Sequence, residues 1–323
     1  MSHAVKVSVV IPVFNGALLI ERCLHSVYQQ NGDYQLEVIV IDDGSTDHSI
    51  ALVNAYSETI TLIEQTNQGP AAARNKGLER ATGSYVAFLD ADDYWDPNFL
   101  KHTVGFMETH KVVAVSVGQI HKITGKADRI MPQLDDTKDK TNTNGVVLDD
   151  FYDFWAAHNH VCTGSVLMRT QIAKQTGGQR PELRITEDLE FWGYLATFGA
   201  WGFIPKVLFV SDGGLVTKSQ GWLQKNRKRW QSAPTVEDWE ARIIKNIKPK
   251  DRTSFEKVKG RIAKNLAYAM IMSNRYEQAR QTTLAYGQHY PKDKIAWLLT
   301  ACAPHHWLWV VLAKGLGLRE QLK

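Results

Sequence analysis

Phe88-Leu89-Asp90-Ala91-Asp92-Asp93 is the most informative stretch of this chain. An apolar segment from Tyr85 to Leu89 ends there in three carboxylates within four residues. Like charges this close raise one another's pKa unless a cation lies among them, and carboxylate oxygens are ligands that Mg²⁺ and Mn²⁺ prefer. In open α/β sheets, ligands bind beyond the carboxyl ends of the strands. The segment therefore predicts a strand whose carboxyl end carries a metal site.

Two earlier apolar segments end in polar residues in the same manner. Val7–Phe14 leads into Asn15-Gly16, and Leu36–Ile41 leads into Asp42-Asp43-Gly44-Ser45-Thr46-Asp47. Their β-branched composition favours strands, and Ile60–Ile63 is predicted to form a short further strand. Each of these strands is followed by a predicted helix. Residues 17–30 have apolar residues at helical spacing, residues 45–56 begin with residues that cap helices, and residues 70–77 begin with a proline that favours a helix start. Alternating strands and helices predict an α/β fold with a doubly wound, mostly parallel sheet.

The composition excludes several classes of protein. The chain has 323 residues, of which 44% are hydrophobic, so it can form a sizeable core and more than one simple domain. Its three cysteines are far apart, which favours neither a disulfide framework nor a zinc site. The first residues lead into a strand without an apolar signal region, and the apolar stretch 295–313 is interrupted by Pro304. We therefore expect a cytoplasmic protein without a membrane-spanning helix.

Charge is distributed unevenly along the chain. Residues 1–213 carry 17 basic and 26 acidic side chains, net −9, whereas residues 214–323 carry 21 basic and 8 acidic ones, net +13. We therefore expect an α/β domain over 1–213 and a basic, mainly helical region over 214–323. That region would present a solvated surface, or would contact anionic lipid at the inner face of the plasma membrane through Trp297 and Trp307 beside Lys314. No nucleic-acid-binding motif accompanies the basic charge, so nucleic acid is not an expected partner.

The ordered motifs of residues 7–210 resemble those of the inverting family 2 glycosyltransferases, which have the GT-A fold. The four motifs are Ile11-Pro12-Val13-Phe14-Asn15, Ile41-Asp42-Asp43-Gly44-Ser45-Thr46-Asp47, the stretch from Asn67-Gln68-Gly69-Pro70 to Arg74-Asn75-Lys76-Gly77, and Asp90-Ala91-Asp92-Asp93. The resemblance implies that residues 1–213 form a GT-A domain that moves a sugar from a nucleoside diphosphate sugar to an acceptor hydroxyl with inversion. It also implies a hexosyl- or N-acetylhexosaminyltransferase that acts on a glycan or lipid-linked acceptor in surface polysaccharide or lipopolysaccharide synthesis.

The resemblance assigns the acidic cluster to the diphosphate and sugar of the donor. Asp92 and Asp93 would contact Mn²⁺ or Mg²⁺, and Asp90 would lie nearer the donor sugar or the ribose. A departing nucleoside diphosphate gains negative charge as the glycosidic bond breaks, and a divalent cation stabilises that charge. The alternative is an exposed acidic turn that caps the helix predicted to start at Asp96-Pro97.

Residues after the first two strands would form the nucleotide pocket. By the resemblance, the base and ribose are lined by Pro12, Val13 and Asn15. Asp43 would accept a hydrogen bond from the base, and Arg74 would contact the nucleotide. Because a carboxylate only accepts hydrogen bonds, Asp43 suits the N3–H of uracil; guanine would also fit, so UDP is favoured modestly. Purely structural roles for Asp43 and Arg74 are the alternative.

The Glu-Asp pair within Thr186-Glu187-Asp188-Leu189-Glu190-Phe191-Trp192 resembles the family motif whose second carboxylate is the catalytic base. Asp188 would take the proton of the acceptor hydroxyl, and Glu187 would orient the acceptor or support the fold. Thr186 could cap a helix here, where the macrodipole would stabilise an ionised carboxylate that can accept a proton. A purely capping role for the pair is the alternative.

One basic contact of the family pattern is missing from this sequence, and few residues can be assigned to acceptor binding. Many relatives carry a basic or histidine residue after the Glu-Asp helix, but Phe209–Gly214 offers neither. Lys218 or a residue of 226–230 could replace it, or the basic run 226–230 could be surface charge alone. The aromatic residues of 151–155 could contact a sugar or pack in the core. The polar stretch 133–145 could order over the substrate or could be an insertion without a role in binding.

Two rival functions would use the same residues. A sugar nucleotidyltransferase would need a basic, glycine-rich phosphate loop after the first strand, and Asn15-Gly16-Ala17-Leu18 is not one. A non-catalytic protein that binds nucleotide sugars would keep the pocket without the base. A Rossmann dehydrogenase is excluded, because no Gly-x-Gly-x-x-Gly follows the first strand.

Overall fold

The computed structural model describes residues 4–56, 58–122, 127–132, 144–212 and 229–321. The strands are β1 (Val5–Val13), β2 (Tyr34–Asp42), β3 (Ile60–Glu64), β4 (Tyr85–Phe88), β5 (Tyr94–Trp95), β6 (Ala114–His121), β7 (Arg129–Met131), β8 (Val146–Val147), β9 (Val166–Arg169) and β10 (Trp201–Ser211). The helices up to β10 are α1 (Ile20–Tyr28), α2 (Ser49–Asn54), α3 (Pro70–Arg80), α4 (Phe99–Thr109), α5 (Phe151–Ala157), α6 (Thr170–Gln175) and α7 (Glu187–Leu195). After β10 follow α8 (Val236–Glu240), α9 (Arg252–Met272), α10 (Tyr276–Tyr286), α11 (Lys294–Cys302) and α12 (His306–Gln321).

All of these strands belong to one mixed sheet, ordered β3-β2-β1-β4-β9-β6-β10-β5, with β7 beside β6 and β8 beside β10. The half formed by β3, β2, β1 and β4 is parallel, and β10 runs parallel to β6. β9 is antiparallel to both of its neighbours. Because β1, β2 and β4 run in the same direction, the residues that follow them meet at one edge of the sheet. The predicted mostly parallel, doubly wound sheet is confirmed.

The sheet separates two hydrophobic cores, as the alternation of side chains along a strand requires. Val9 and Ile11 of β1 face the core that α1 and α4 cover, whereas Val10 faces the core that α3, α5 and α7 cover. The α3 helix lies very close to β1, because a Cβ atom at Gly77 would fall 2.2 Å from Cγ1 of Val10. Pro70 occupies the first turn of α3, as its fixed φ favours.

The helices of residues 229–321 extend the second core rather than forming a separate one. Trp239, Phe255 and Trp309 are buried in the same apolar cluster as Trp155 and Trp192 of the α/β part. The Phe255 ring stacks on Trp239 at 5.9 Å between ring centroids. The prediction of a mainly helical C-terminal region therefore agrees with the described residues. The domain boundary predicted between 213 and 214 lies in the stretch 213–228, which is outside the described residues. In the part of the chain that the structure describes, no helix is both long enough and apolar enough to cross a membrane.

Candidate active site

The loops after β1 and β2 are bound to each other at the carboxyl edge of the sheet. The Asn15 backbone, held at a left-handed φ of 52°, donates to Oγ of Ser45 at 2.9 Å. In return, Oδ1 of Asn15 accepts from the backbone of Thr46 at 2.8 Å. Asn15 is exposed at this edge, Pro12 is half-buried and Val13 is buried. The three residues predicted to line the base and ribose therefore lie together, and their contact with a nucleotide stays a prediction.

Asp43 is 3% exposed and binds the loop that leads into α3. Oδ1 accepts from the backbone of Gln68 and from Nε2 of Gln65, both at 2.8 Å, and Oδ2 accepts from the backbone of Gly69 at 2.8 Å. The carboxylate thereby satisfies backbone groups where the loop turns into a helix. A structural role for Asp43 is thus visible, and a contact with the base would add to it.

Arg74 of α3 is paired with the first aspartate of the acidic cluster. Its Nη2 atom lies 2.6 Å from Oδ1 of Asp90, and Nη1 donates to Oε1 of Gln179 at 3.2 Å. Burial is the largest single effect and opposes the charge of Arg74, but Asp90, Asp188 and Glu187 together outweigh it, so the pKa of the guanidinium is raised. Arg74 therefore supplies a fixed positive charge beside the cluster.

Asp92 and Asp93, unlike Asp90, have no ion-pair partner among the described side chains. Burial, followed by the charge of Asp90, raises the pKa of both carboxyls, and that of Asp93 reaches about 8. Within the described residues, no lysine or arginine forms an ion pair with either side chain. Carboxylates crowded in this way fit a divalent cation, which would remove the cost of ionising them together.

The described residues contain no group of three His, Cys, Asp or Glu side chains arranged to hold a metal by themselves. A cation of the magnesium type needs no such group, because it is commonly held by one or two carboxylates while substrate phosphates and water complete its coordination. Asp92 and Asp93 remain the residues that fit this role.

Two neighbours of the cluster were missed by the sequence analysis. The Asp212 backbone, at the end of β10, donates to Oδ1 of Asp93 at 2.9 Å. Arg22 of α1 lies 2.5 Å from Oδ2 of Asp212 and donates to the carbonyl oxygen of Asp92 at 2.7 Å. The rule that acidic residues follow these strands could have found Asp212, which comes directly after the apolar β10. Nothing in the sequence marks Arg22.

The Glu-Asp pair lies at the start of α7, where both carboxyls interact electrostatically with Arg74. Burial raises the pKa of both carboxyls, and Arg74 opposes part of the rise for Asp188. Arg184 and Thr186 precede the helix with left-handed φ values of 58° and 62°, which are uncommon for residues other than glycine. The expectation that Thr186 caps the helix is wrong, because its hydroxyl donates to the carbonyl of Ile185 instead.

The predicted substitutes for the missing basic contact are only partly described. Lys218 and residues 226–228 lie outside the described residues. Arg229 is described, and its Nη2 atom lies 3.8 Å from Oε1 of Glu187, so it lies near the Glu-Asp pair. Of the stretch 133–145, only the last two residues are described. Phe151, Tyr152 and Trp155 are buried in the core rather than presented to a sugar.

A sequence model described as glycosyl transferase family 2 matches residues 8–174, which include the strand ends carrying Asn15, Asp43 and the acidic cluster. The chain belongs to glycosyl transferase family 2. The predictions of this family and of a GT-A type of fold are therefore confirmed. The roles of individual residues stay predictions.

Curated glycosyltransferases with similar sequences match this chain over part of their length. A Nostoc protein named as an uncharacterized glycosyltransferase is 37% identical over 149 residues, which are 45% of this chain and 43% of that protein. The poly(ribitol-phosphate) beta-glucosyltransferase of Bacillus spizizenii is 36% identical over 129 residues, which are 38% of this chain and 20% of that enzyme. The chain thus spans less than half the length of these curated relatives.

Two solved structures resemble the family 2 chain in fold over nearly its whole length. S. aureus TarS 1–349, in complex with UDP-GlcNAc, is 19% identical with a TM-score of 0.60, covering 98% of this chain and 92% of that one. The mannosyltransferase PcManGT of Pyrobaculum calidifontis, in complex with GDP-Man and Mn²⁺, is 22% identical with a TM-score of 0.55, covering 98% and 88%. At these identities the likeness shows the fold alone.

Proposed function

We propose that this protein is a metal-dependent inverting glycosyltransferase that moves a sugar from a nucleoside diphosphate sugar, with UDP as the favoured nucleotide, to an acceptor hydroxyl. The main support for the proposal is the ion pair of Arg74 with Asp90. The carboxylates of Asp92 and Asp93 follow Asp90 in the same acidic cluster, and the Glu-Asp pair is close to the same arginine. The nucleotide sugars bound by TarS and PcManGT support this donor class.

On the donor side, Asp92 and Asp93 would hold Mn²⁺ or Mg²⁺, and Asp90 would face the donor sugar or ribose. When bound, the cation would supply positive charge to the diphosphate leaving group. The Mn²⁺ in the PcManGT complex supports a divalent ion of this kind. Arg74 holds Asp90 in place at 2.6 Å, so its side chain fixes one wall of the donor site.

On the acceptor side, Asp188 would remove the hydroxyl proton as the oxygen attacks the anomeric carbon. A raised pKa makes a carboxylate a stronger base, and general-base catalysis is most effective when that pKa approaches the working pH. Glu187 is buried beside Asp188 and would orient the acceptor. One displacement from the face opposite the leaving group inverts the anomeric centre, because no covalent intermediate forms.

The acceptor would be a glycan or a lipid-linked molecule of surface polysaccharide or lipopolysaccharide synthesis. The name of the Bacillus spizizenii relative, a poly(ribitol-phosphate) glucosyltransferase, supports a polymeric acceptor. The transferred unit would be a hexose or an N-acetylhexosamine, as the UDP-GlcNAc and GDP-Man of the two structural neighbours suggest.

The first experiment is a binding screen followed by a transfer assay. Isothermal titration with UDP-, GDP- and dTDP-sugars, in Mn²⁺ or in EDTA, should show metal-dependent binding of a UDP-sugar. Asp92→Ala should abolish this binding, whereas Asp33→Ala, a matched change at an exposed aspartate, should not. Equal binding with and without metal would contradict the proposal.

The same screen separates the proposed enzyme from a non-catalytic binding protein. We expect slow, metal-dependent hydrolysis of the bound donor without acceptor, and a lower rate in Asp188→Asn. A donor that binds tightly but is consumed at equal, background rates by both proteins would favour the binding protein.

We also propose a cytoplasmic location with peripheral contact to anionic lipid through the C-terminal helices. Trp297 of α11 and Trp307 of α12 are 67% and 68% exposed, which is unusual for such large apolar side chains. Both helices also carry exposed lysines, Lys294 and Lys314. Tryptophan and basic residues together favour the interface of an anionic bilayer.

Sedimentation with vesicles tests this contact. The protein should sediment with phosphatidylglycerol vesicles in low salt and not with phosphatidylcholine vesicles. Changing both tryptophans to serine should reduce sedimentation, whereas Ile130→Ser, another exposed apolar residue, should not. Sedimentation that is unaffected by the tryptophan changes would contradict the proposed contact.

A further inference from the structure

Arg242, in the basic C-terminal region, binds the helix that begins with the Glu-Asp pair. Its Nε and Nη2 atoms donate to the two carboxylate oxygens of Glu190, each at 2.6 Å. Glu190 is 0% exposed and lies on α7, two residues after Asp188. The guanidinium also stacks on the ring of Tyr194, one turn further along α7, at 4.4 Å. A bidentate pair of this kind fixes orientation as well as distance.

The same guanidinium also binds the turn that supports the donor site. Nη1 donates to the carbonyl of Thr176, and Nη2 donates to the carbonyl of Gly178, both at 2.8 Å. Gln179, the next residue, exchanges two hydrogen bonds of 2.8 Å with the side chain of Asn75 on α3.

Gln179 then contacts the arginine of the donor site. Its Oε1 atom accepts from Nη1 of Arg74, whose other terminal nitrogen binds Asp90. A continuous series of hydrogen bonds and chain neighbours therefore runs from Arg242 to Asp90. A second, shorter path runs from Arg242 through Glu190 to Asp188 within one helical turn.

We propose that Arg242 is a positioning residue that holds the base helix and the donor-side turn in a fixed relation. The assignment of Asp188 as base rests on the proposed function; the contacts of Arg242 do not. If Arg242 is lost, the buried Glu190 has no described cation within ion-pair distance, so it must take up a proton or move towards water. Either change frees α7 and the 176–179 turn to shift independently.

The experiment compares Arg242→Gln with a matched ion pair of the same region. Lys257 of α9 lies 2.8 Å from Asp153 of α5, so this pair also joins the C-terminal region to the α/β part, but both side chains are more than half exposed. Hydrogen exchange of the 176–195 segment and kcat per folded molecule are measured for the wild type, Arg242→Gln, Arg242→Lys and Lys257→Gln.

We expect Arg242→Gln to speed exchange in 176–195 and to lower kcat by about 10²-fold, because small displacements of reacting groups have effects of this size. Arg242→Lys should recover part of kcat, and Lys257→Gln should match the wild type in both measurements. If Arg242→Gln does not fold, Glu190→Gln gives the same comparison. Wild-type exchange and kcat in the folded variant, or equal losses in Lys257→Gln, would overturn the proposal.

The two readouts also separate this inference from the proposed function. If no donor is turned over by the wild type, the transferase proposal fails, while faster exchange in 176–195 for Arg242→Gln alone still supports the structural part of the inference. If transfer occurs and exchange in 176–195 is unchanged, the role of Arg242 fails while the transferase proposal stands.

Discussion

Replacing Asp43 by alanine should destabilise the fold measurably, because this buried carboxylate accepts three hydrogen bonds from the end of β3 and the loop that leads into α3. The substitution removes the acceptor for the backbone N–H groups of Gln68 and Gly69 and for the side chain of Gln65. Leaving a buried donor unsatisfied costs about 1–3 kcal/mol. The side chain of Gln65 can turn towards water, so the loss of stability depends on the backbone N–H groups of Gln68 and Gly69. Two such groups would together cost about 2–6 kcal/mol, and because Gln68 is exposed so that water can reach its backbone, we expect the lower part of that range, about 2–4 kcal/mol.

Urea unfolding followed by tryptophan fluorescence measures this loss. Asp43→Asn keeps one acceptor oxygen, so we expect it to cost about half as much, about 1–2 kcal/mol. Titration with UDP and CDP then tests the base contact, because Asp43→Asn should reduce a preference for uracil that rests on acceptance from N3–H. A free energy of unfolding within about 0.5 kcal/mol of the wild type for Asp43→Ala would show that these hydrogen bonds do not stabilise the fold.

Three further predictions concern the base, the helix contact and pH. Asp188→Asn should keep its donor affinity, measured by titration, but lower the transfer rate by about 10²–10⁴-fold. Wild-type kcat should fall as pH is lowered through the pKa of Asp188, which lies above the ordinary aspartate value. Normal turnover by Asp188→Asn would show that Asp188 is not the base. Gly77→Ala places a Cβ 2.2 Å from Val10 and should cost about 1–3 kcal/mol in urea unfolding; unchanged stability would contradict that contact. Burial disfavours ionised Glu37, but hydrogen bonds, led by that of Lys6, lower its pKa to about 2 from 4.5. Its ionised form therefore adds stability above pH 4.5 that is lost towards pH 2, so the deficit of Glu37→Gln should narrow over that range, and a constant deficit would be evidence against the shift.

The strand ends could be predicted because their signal is local. An apolar, β-branched segment that ends in Asn15, Asp43 or Asp90 marks both a strand and the residue after it, and parallel strands bring those residues to one edge. The start of α3 was equally readable from Pro70. These features need only neighbouring residues to be recognised, and the sheet order confirms them.

The contacts between distant residues could not be predicted from one sequence. Arg22 and Asp212 are 190 positions apart, and no local pattern pairs them. The left-handed backbone of Thr186 is set by the turn that precedes α7, so a threonine typical of helix caps does not cap there. Local propensity gives way when tertiary contacts fix the backbone.

The basic charge of residues 214–323 is used partly within the folded chain. From sequence, the excess of basic residues in 214–323 indicated a solvated surface or contact with lipid. In the structure, part of that charge binds the acidic half of the same chain, as in the pairs of Arg242 with Glu190 and of Lys257 with Asp153. The sign of a segment's charge therefore does not identify its partner, which can be another part of the protein.

The most direct test of the proposed donor site is diffraction from crystals soaked with UDP and Mn²⁺, measured at a wavelength where manganese scatters anomalously. We predict an anomalous peak bridging the diphosphate and the carboxylates of Asp92 and Asp93, at about 2.0–2.6 Å from the ligating oxygens. A bound UDP without a peak there, or with manganese bound elsewhere, would contradict the metal-dependent mechanism.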